Sequence, residues 1–246
     1  MIKILGVIPA RWSSSRFPGK PLADINGKPM IQHVYERAKM AKSLTDVIIA
    51  TDNEKILNAA KNFGAEAIMT PSELPNGTTR VEMAVRKLND AENIDAVINI
   101  QGDEPLLDSL MIEEVCEELR AGENCVTLCN EIKNEQEFSN PNIVKVVLSQ
   151  NNYALYFSRS IIPYERNKRI SPVYQHIGIY GYKYEFLKKY ITWPDTNLSQ
   201  TESLEQLKIL EHDYKIKVVI TKSKSHSIGV DTPEDLEAVK KIIIAF

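Results

Sequence analysis

Residues 2–21 read IKILGVIPARWSSSRFPGKP, and this stretch decides the fold. It begins with an apolar run at 2–8, which predicts a strand that is buried on both faces. The polar, proline-containing segment that follows predicts a loop at the carboxyl end of that strand. In an open α/β sheet, ligands bind outside the carboxyl ends of the strands. The stretch therefore predicts an α/β protein whose ligand lies against its first loop.

The chain continues with the same alternation up to about residue 125. The predicted strands here lie at 47–50, 65–69 and 96–100. The predicted helices lie at 29–41, 54–63, 81–88 and 110–119, the last capped by Asp108 or Ser109. Strands rich in Val and Ile that alternate with helices predict a mainly parallel sheet with helices on both faces.

Beyond residue 125 the pattern becomes richer in strands. Strands are predicted at 144–148, 154–158, 177–182 and 216–220, a charged loop or arm at 163–172, and helices at 184–190, 203–210 and 233–243. We interpret the chain as a single domain over 1–246, α/β in class, with a small β-rich subdomain or arm at about 125–182. That region could cover a pocket or pair with another subunit.

Composition limits the functional classes. The 246 residues suit one large α/β domain, and the formal net charge of −3 gives no indication of a nucleic-acid partner. The apolar start is too short for a signal peptide, and no stretch approaches a membrane span, so we expect a cytoplasmic protein. Cys116, Cys125 and Cys129 are interpreted as core residues, because no further Cys or His pair completes a zinc pattern.

The first loop carries a cluster of positive charge. Arg11, Arg16 and Lys20 lie within ten residues, together with hydroxyl groups and Gly19. Cations neutralise phosphate oxygens and glycine lets the backbone approach them, so this composition suits a triphosphate. The loop matches neither GxGxxG nor the P-loop pattern. A solvated basic loop is the alternative, and the position directly after a buried strand favours the phosphate site.

Two acids are candidates for a metal. Asp103 follows the predicted strand at 96–100, and Asp231 precedes the last predicted helix. Magnesium binds few protein carboxylates together with phosphate oxygens and waters, which suits this pair. Asp103 could instead be a turn residue. From spacing alone, Asp231 is better explained as a helix N-cap with Glu234 near the N3 position.

Taken together, nine segments resemble the 3-deoxy-D-manno-octulosonate (Kdo) cytidylyltransferase family over essentially the whole chain. They are IPARWSSSRFPGKPLADINGKPMIQHV from 8, ATDNEKI from 50, NGTTR from 76, NIQGDEPLL from 99, PNIVKVVL from 141, YALYFSRSIIPY from 153, HIGIYGY from 176, ESLEQLKILE from 202 and GVDTPEDLE from 229. The resemblance implies a nucleotide-sugar-transferase fold and a homodimer. It also implies Mg²⁺-dependent transfer of CMP from CTP to the anomeric hydroxyl of Kdo for lipopolysaccharide synthesis.

The resemblance also assigns residues. It places Ala10, Arg11, Arg16, Lys20, Arg80 and Gln101 around the nucleotide, Asp103 and Asp231 on the metal, and Gln101, Arg159, His176, Tyr180, Glu205 and Gln206 around the sugar acid. One departure is Thr79, which stands where the family usually has an acid before the arginine of this segment. The missing carboxylate raises the question of what orients Arg80, and it could signal an altered substrate.

Rival functions remain open at this stage. The motifs do not distinguish a reaction on Kdo from the same reaction on its 8-amino analogue. Enzymes that activate sialic acids resemble the first loop only loosely. A non-catalytic regulator that binds a nucleotide or sugar is a different class, and the intact pair Asp103 and Asp231 argues against it.

Overall fold

The computed structural model describes residues 2–13, 17–225 and 229–244. Its strands are β1 (Ile4–Ala10), β2 (Asp24–Ile25), β3 (Lys28–Pro29), β4 (Asp46–Thr51), β5 (Glu66–Met69), β6 (Ala96–Asn99), β7 (Cys125–Glu131), β8 (Lys145–Leu148), β9 (Ala154–Ser158), β10 (Tyr174–Lys183) and β11 (Lys217–Ile220). Its α-helices are α1 (Met30–Ala38), α2 (Glu54–Asn62), α3 (Gly77–Arg86), α4 (Ser109–Ala121), α5 (Tyr184–Tyr190), α6 (Asn197–Glu202), α7 (Leu207–Glu211) and α8 (Pro233–Ile244).

One mixed sheet organises the molecule, with the strand order β11-β7-β10-β6-β1-β4-β5. Strand β1 pairs in parallel with β4 and β6, and β4 pairs in parallel with β5. Strand β10 runs antiparallel between β6 and β7, and its first residues also pair with β8, which pairs with β9. The sheet is therefore mainly parallel, as predicted, and the β-rich region is joined to it through β10.

The register brings distant segments to one edge of the sheet. Ala10 is paired with Thr51 at the end of β1, and Val7 is paired with Asn99 at the end of β6. Tyr180 of β10 is also paired with Asn99. Because β10 is antiparallel, its amino-terminal half lies beside the carboxyl ends of β1 and β6. This edge is where the sequence analysis places the ligand.

Apolar layers cover both faces of the sheet. Leu5 and Val7 of β1 belong to one buried cluster, whereas Ile4 and Ile8 belong to a second cluster on the other face. This alternation follows from the period of two in a strand. Helix α3 packs in the first cluster and helices α1, α2 and α4 pack in the second, so the prediction of helices on both faces is confirmed.

The predicted elements differ from the structure in several places, and no strand was predicted over β7. Helix α3 begins at Gly77 instead of 81, because Asn76 caps it by accepting the Thr79 N–H at 2.8 Å. The helix predicted at 203–210 is shorter and begins later, as α7, because Ser203 has a left-handed backbone (φ 51°) that ends the preceding helix α6, which was not predicted. The hairpin β2–β3 was not predicted, although Asn26-Gly27, with positive φ at both residues, is a strong turn signal.

The cysteines confirm their prediction as core residues. All three are buried free thiols, and burial raises the pKa of Cys116 and Cys129 to about 12. The segment at 163–172 contains neither helix nor strand, as predicted. Within the described ranges, no helix combines the length and apolar character that crossing a bilayer requires.

Candidate active site

A cavity of about 830 Å³ opens at the edge of the sheet where β1 and β6 end. The predicted site residues that line it are Ala10, Arg11, Lys20, Gln101, Asp103, Arg159, His176, Tyr180, Glu205, Gln206 and Asp231. Lining residues that the sequence analysis did not single out include Asn76, Thr78, Asn99 and Tyr190. The structure therefore brings together segments that are scattered over more than two hundred positions of the chain.

Lys20 joins the two predicted metal ligands. Its ammonium donates to Asp103 Oδ2 at 2.7 Å, to Asp231 Oδ1 at 3.2 Å and to the carbonyl of Val230 at 2.9 Å. Its side chain is 14% exposed, whereas those of Asp103 and Asp231 are 32% and 46% exposed and face the cavity. Both carboxylates thus converge on a single position that a cation can occupy.

Helix α8 does not use Asp231 as its cap. Thr232 Oγ1 accepts the Asp235 N–H at 3.2 Å, and Asp235 Oδ2 in turn accepts the N–H groups of Asp231 and Thr232. This reciprocal arrangement is a capping box, closed by Asp235 where the sequence analysis expected Glu234. The helix start therefore holds the backbone of Asp231 and leaves its carboxylate facing Lys20.

Close backbone contact fixes the exit of β6 against the exit of β1. A Cβ on Gly102 would lie 2.6 Å from the carbonyl oxygen of Pro9, so only glycine fits there. The neighbouring Gln101 donates from Nε2 to the carbonyl of Gly178 in β10 at 2.8 Å. The segment that carries Asp103 is therefore held between β1 and β10.

Arg159 follows β9 directly and is partly buried. Its guanidinium donates to the carbonyls of Glu202 at 2.8 Å, Pro141 at 3.0 Å and Ser203 at 3.4 Å, while its backbone N–H donates to the Glu202 carboxylate at 3.0 Å. Backbone carbonyls orient the group, and it forms no ion pair with a carboxylate of the described residues. It lines the cavity, in the segment predicted to contact the sugar.

His176 lies among aromatic rings and is neutral. Its ring packs 5.1 Å from Phe157 and 5.4 Å from Tyr180, and burial lowers its pKa to about 3. Its Nε2 lies 3.1 Å from Thr127 Oγ1, whose hydroxyl donates to the backbone carbonyls of β10. Because that proton is used, Thr127 accepts from the imidazole, which assigns the proton to Nε2.

Glu205 is linked to the opposite wall of the cavity by a hydrogen-bonded chain. Thr78 Oγ1 donates to Glu205 Oε2 at 3.2 Å, and Asn99 Nδ2 lies 3.5 Å from the same hydroxyl. Glu205 is open to the cavity, yet the walls around it remove enough water that desolvation raises the pKa of its carboxyl. Asn99 Oδ1 is buried and has no hydrogen-bond partner among the described residues, so it is available to a polar ligand.

Known proteins with similar sequences identify the family of this chain. The model of the cytidylyltransferase family matches residues 5–216. The chain belongs to the cytidylyltransferase family. This cytidylyltransferase is 48% identical over 248 residues, 96% of each chain, to 3-deoxy-manno-octulosonate cytidylyltransferase of Thermodesulfovibrio yellowstonii. It is 51% identical over 234 residues, 94% of each chain, to 8-amino-3,8-dideoxy-manno-octulosonate cytidylyltransferase of Shewanella pealeana.

A solved structure shares the architecture of the whole cytidylyltransferase chain. It is that of CMP:2-keto-3-deoxy-manno-octonic acid synthetase complexed with CTP, with 40% identity, a TM-score of 0.92 and 99% of each chain covered. The predicted family and the predicted nucleotide-sugar-transferase type of fold are thereby confirmed.

Two predicted site residues of this cytidylyltransferase are not among those that line the cavity. Arg16 lies outside the described residues. Arg80, predicted to line the cavity, lies beneath its wall instead, fully buried and paired with Asp52 at 3.2 Å. Helix α3 points this side chain inward, away from the cavity. Sequence analysis did not single out Asp52, although the quoted segment ATDNEKI contains it.

Proposed function

We propose that this cytidylyltransferase transfers CMP from CTP to the anomeric hydroxyl of 3-deoxy-manno-octulosonate, releasing pyrophosphate. One observation carries the proposal: a single cavity is lined by the loop cations Arg11 and Lys20, by two carboxylates, and by Arg159, His176 and Glu205. A triphosphate needs cations, and a polyhydroxylated acid needs one cation and several hydrogen-bonding groups. The choice of substrates is supported by relatives whose names refer to octulosonates.

The loop side of the cavity suits the triphosphate. Arg11 and Lys20 would neutralise phosphate oxygens, and Gly77 and Thr78 present the amino end of α3, where N–H groups favour negative charge. This arrangement positions the α-phosphorus and stabilises the charge that develops on pyrophosphate as it leaves. Phosphoryl-type transfer depends mainly on such positioning and charge stabilisation.

The other lining residues suit the sugar acid. Arg159 is held by carbonyls with its charge available, and a guanidinium is the best side chain for holding a carboxylate in two-point geometry. Neutral His176 and the unpartnered oxygen of Asn99 would bind hydroxyl groups without repelling the acid. Arg159 therefore counters the repulsion between two anionic substrates.

We also propose magnesium as the cofactor. The residues fit the ion, because Asp103 and Asp231 already converge on one cation, the ammonium of Lys20. No cluster of three or more His, Cys, Asp or Glu side chains suited to a metal occurs among the described residues. Two carboxylates completed by phosphate oxygens and water are typical of Mg²⁺. When bound, the ion would supply charge neutralisation at the phosphates.

The 8-amino analogue of the sugar is a second candidate substrate. A relative named for that substrate is about as similar to this chain as one named for the 8-hydroxy sugar. Glu205 could attract an ammonium group at the far end of the sugar. Glu205→Gln should then lower the preference for the amino sugar, because a neutral amide attracts a cation less.

The oligomeric state, the cellular location and the use of the product also belong to the proposal. We propose a cytoplasmic homodimer whose product serves lipopolysaccharide synthesis. Exposed apolar side chains support a subunit contact in the region 125–182: Leu155 is 62% exposed, Tyr164 84% and Ile170 97%. Light scattering would give the mass directly. A monomer at micromolar concentration would contradict this part of the proposal.

Pyrophosphate release tests the proposal. CTP with 3-deoxy-manno-octulosonate, its 8-amino analogue or a sialic acid should give turnover with one or both octulosonates and little with the sialic acid. Binding of CTP without pyrophosphate release would favour a non-catalytic regulator. Turnover with the sialic acid alone would refute the assignment of the sugar.

A further inference from the structure

Asp52 connects two parts of the nucleotide side of the cavity. It follows β4 directly, and its side chain is only 5% exposed. One carboxylate oxygen accepts the backbone N–H of Trp12 at 3.0 Å, and the other accepts Arg80 Nη2 at 3.2 Å. Each oxygen therefore holds a different segment of the protein.

Arg80 extends the connection to a third strand. It is fully buried, and its Nη1 donates to Thr70 Oγ1 at 2.5 Å and to the carbonyl of Pro71 at 3.2 Å. Thr70, just after β5, is itself bound to the Thr51 carbonyl through both its N–H and its hydroxyl. The exits of β1, β4 and β5 and the helix α3 thus meet at one buried ion pair.

Both segments that Asp52 and Arg80 hold carry groups of the cavity. The Trp12 carbonyl accepts the Gly19 N–H at 3.0 Å, so Trp12 and Gly19 close the base of the first loop. Arg11 and Lys20 are the residues directly outside this closure, and both line the cavity. On the other side, the first turn of α3 places Thr78 in the cavity wall.

We propose that the buried pair Asp52–Arg80 is the positioning element of the nucleotide site. It fixes the base of the first loop relative to α3 without contacting the ligand. Asp52 also supplies the carboxylate partner that the segment NGTTR lacks at Thr79. The kinetic consequence rests on the proposed use of CTP, whereas the anchoring of the loop can be measured without any substrate.

The anchoring test uses Trp12 as a reporter. The chain has two tryptophans, so Trp193→Phe leaves Trp12 alone. Asp52→Asn keeps an acceptor for the Trp12 N–H but presents an amide donor to Arg80, which breaks the bridge. In the Trp193→Phe background, this change should raise acrylamide quenching of Trp12 by about twofold. The matched control is Asp46→Asn, at the other end of β4, whose exposed carboxylate pairs with Lys39. It should leave quenching unchanged.

Steady-state kinetics separate positioning from general stability. Asp52→Asn should raise the KM for CTP about tenfold or more and leave the KM for the sugar within about twofold, because Arg159 and His176 belong to segments that Asp52 and Arg80 do not bond, and only Glu205 is linked to α3 through Thr78. Equal losses for both substrates, or a CTP KM within about twofold of wild type, would overturn the proposal even if the unfolding temperature falls.

A double variant keeps the test valid if the single variant does not fold. Asp52→Asn leaves a buried arginine without its carboxylate, which can prevent folding. Adding Arg80→Met removes that charge, so the double variant should unfold at a higher temperature than Asp52→Asn alone while its Trp12 stays more quenchable than in wild type. Wild-type quenching and CTP KM in the double variant would refute a positioning role. If the wild-type chain does not use CTP, the quenching result still decides the anchoring.

Discussion

At the scale of single residues, the site depends on charges whose partners are defined. Lys20 pairs with Asp103 and Asp231. The Arg159 guanidinium donates to backbone carbonyls, and Arg80 pairs with Asp52. The sequence indicated that Lys20 belongs to a ligand loop and that Asp103 follows a strand, but not that Lys20 pairs with the two acids. Arg159 was assigned only through the family resemblance, and its carbonyl partners were not predicted. The sequence could not indicate that Arg80 points inward, since that depends on where α3 begins.

The acid pair yields the first prediction. Asp103→Asn and Asp231→Asn should each lower turnover about 100-fold or more with little change in fold, because each removes charge stabilisation that is realised in the transition state. Initial rates across a magnesium titration measure this. Asp90→Asn, an exposed acid outside the cavity, is the control. Near-normal activity of either site variant at limiting magnesium would show that its acid is not a ligand.

Arg159 yields the second prediction. Arg159→Lys keeps the charge but loses the planar fork, so the KM for the sugar should rise about tenfold or more while the KM for CTP stays nearly constant. Kinetics with each substrate varied in turn would show the difference. If CTP and sugar suffer equally, Arg159 is a structural residue or acts on the phosphates.

His176 yields a prediction about pH. Its pKa of about 3 in the folded protein is below the ordinary 6.5, so between these values only the unfolded chain binds the proton. Stability should therefore fall as the pH drops below 6.5, by up to ~2 kcal/mol at pH 5 from this residue. His176→Gln should flatten that part of the curve in urea unfolding measured from pH 5 to 7.5. An unchanged slope would contradict a neutral buried imidazole.

At the scale of elements, the pattern of strands and helices was largely predictable. Period and composition located β1, β4, β6, β9, α2 and α5, because apolar faces and breakers mark them. The end of α6 and the late start of α7 were not predictable, since a non-glycine residue, Ser203, takes the left-handed conformation between them. The position of β10 was also beyond the pattern: only pairing shows that it enters between β6 and β7 in the opposite direction.

Close packing of elements yields the fourth prediction. Gly102→Ala would place a methyl group 2.6 Å from the carbonyl of Pro9 and force the exits of β1 and β6 apart. We expect a loss of ~1–3 kcal/mol in unfolding free energy, together with a large loss of activity, because Asp103 moves with this segment. Gly229→Ala, where a Cβ meets no atom of the described residues within 4 Å, should leave stability nearly unchanged. Equal stability of both variants would contradict the contact.

At the scale of the whole molecule, the cavity recruits residues from nearly the full length of the chain. Its described lining runs from Pro9 to Asp231. A ligand in this cavity therefore stabilises the fold as a whole, and linkage gives ~2.7 kcal/mol at a ligand concentration of one hundred times Kd.

This linkage yields the last prediction, which tests the base. CTP with Mg²⁺ should raise the unfolding temperature by several degrees, whereas ATP at the same concentration should have little effect, because the proposed function requires a site selective for cytidine. Differential scanning fluorimetry measures both. An equal shift with ATP would contradict cytidine selectivity and leave a general nucleotidyltransferase.

The pairing of Lys20 with Asp231 spans 211 positions and has a consequence for synthesis on the ribosome. Translation delivers the chain from its amino end at about 5–20 residues per second, so the first loop and Asp103 emerge many seconds before Asp231. On the proposed mechanism, a nascent chain that has already folded β1, β4 and β6 still has only one of the two acids. Turnover therefore begins only after the segment carrying Asp231 has emerged, and a messenger broken before that codon yields no active enzyme.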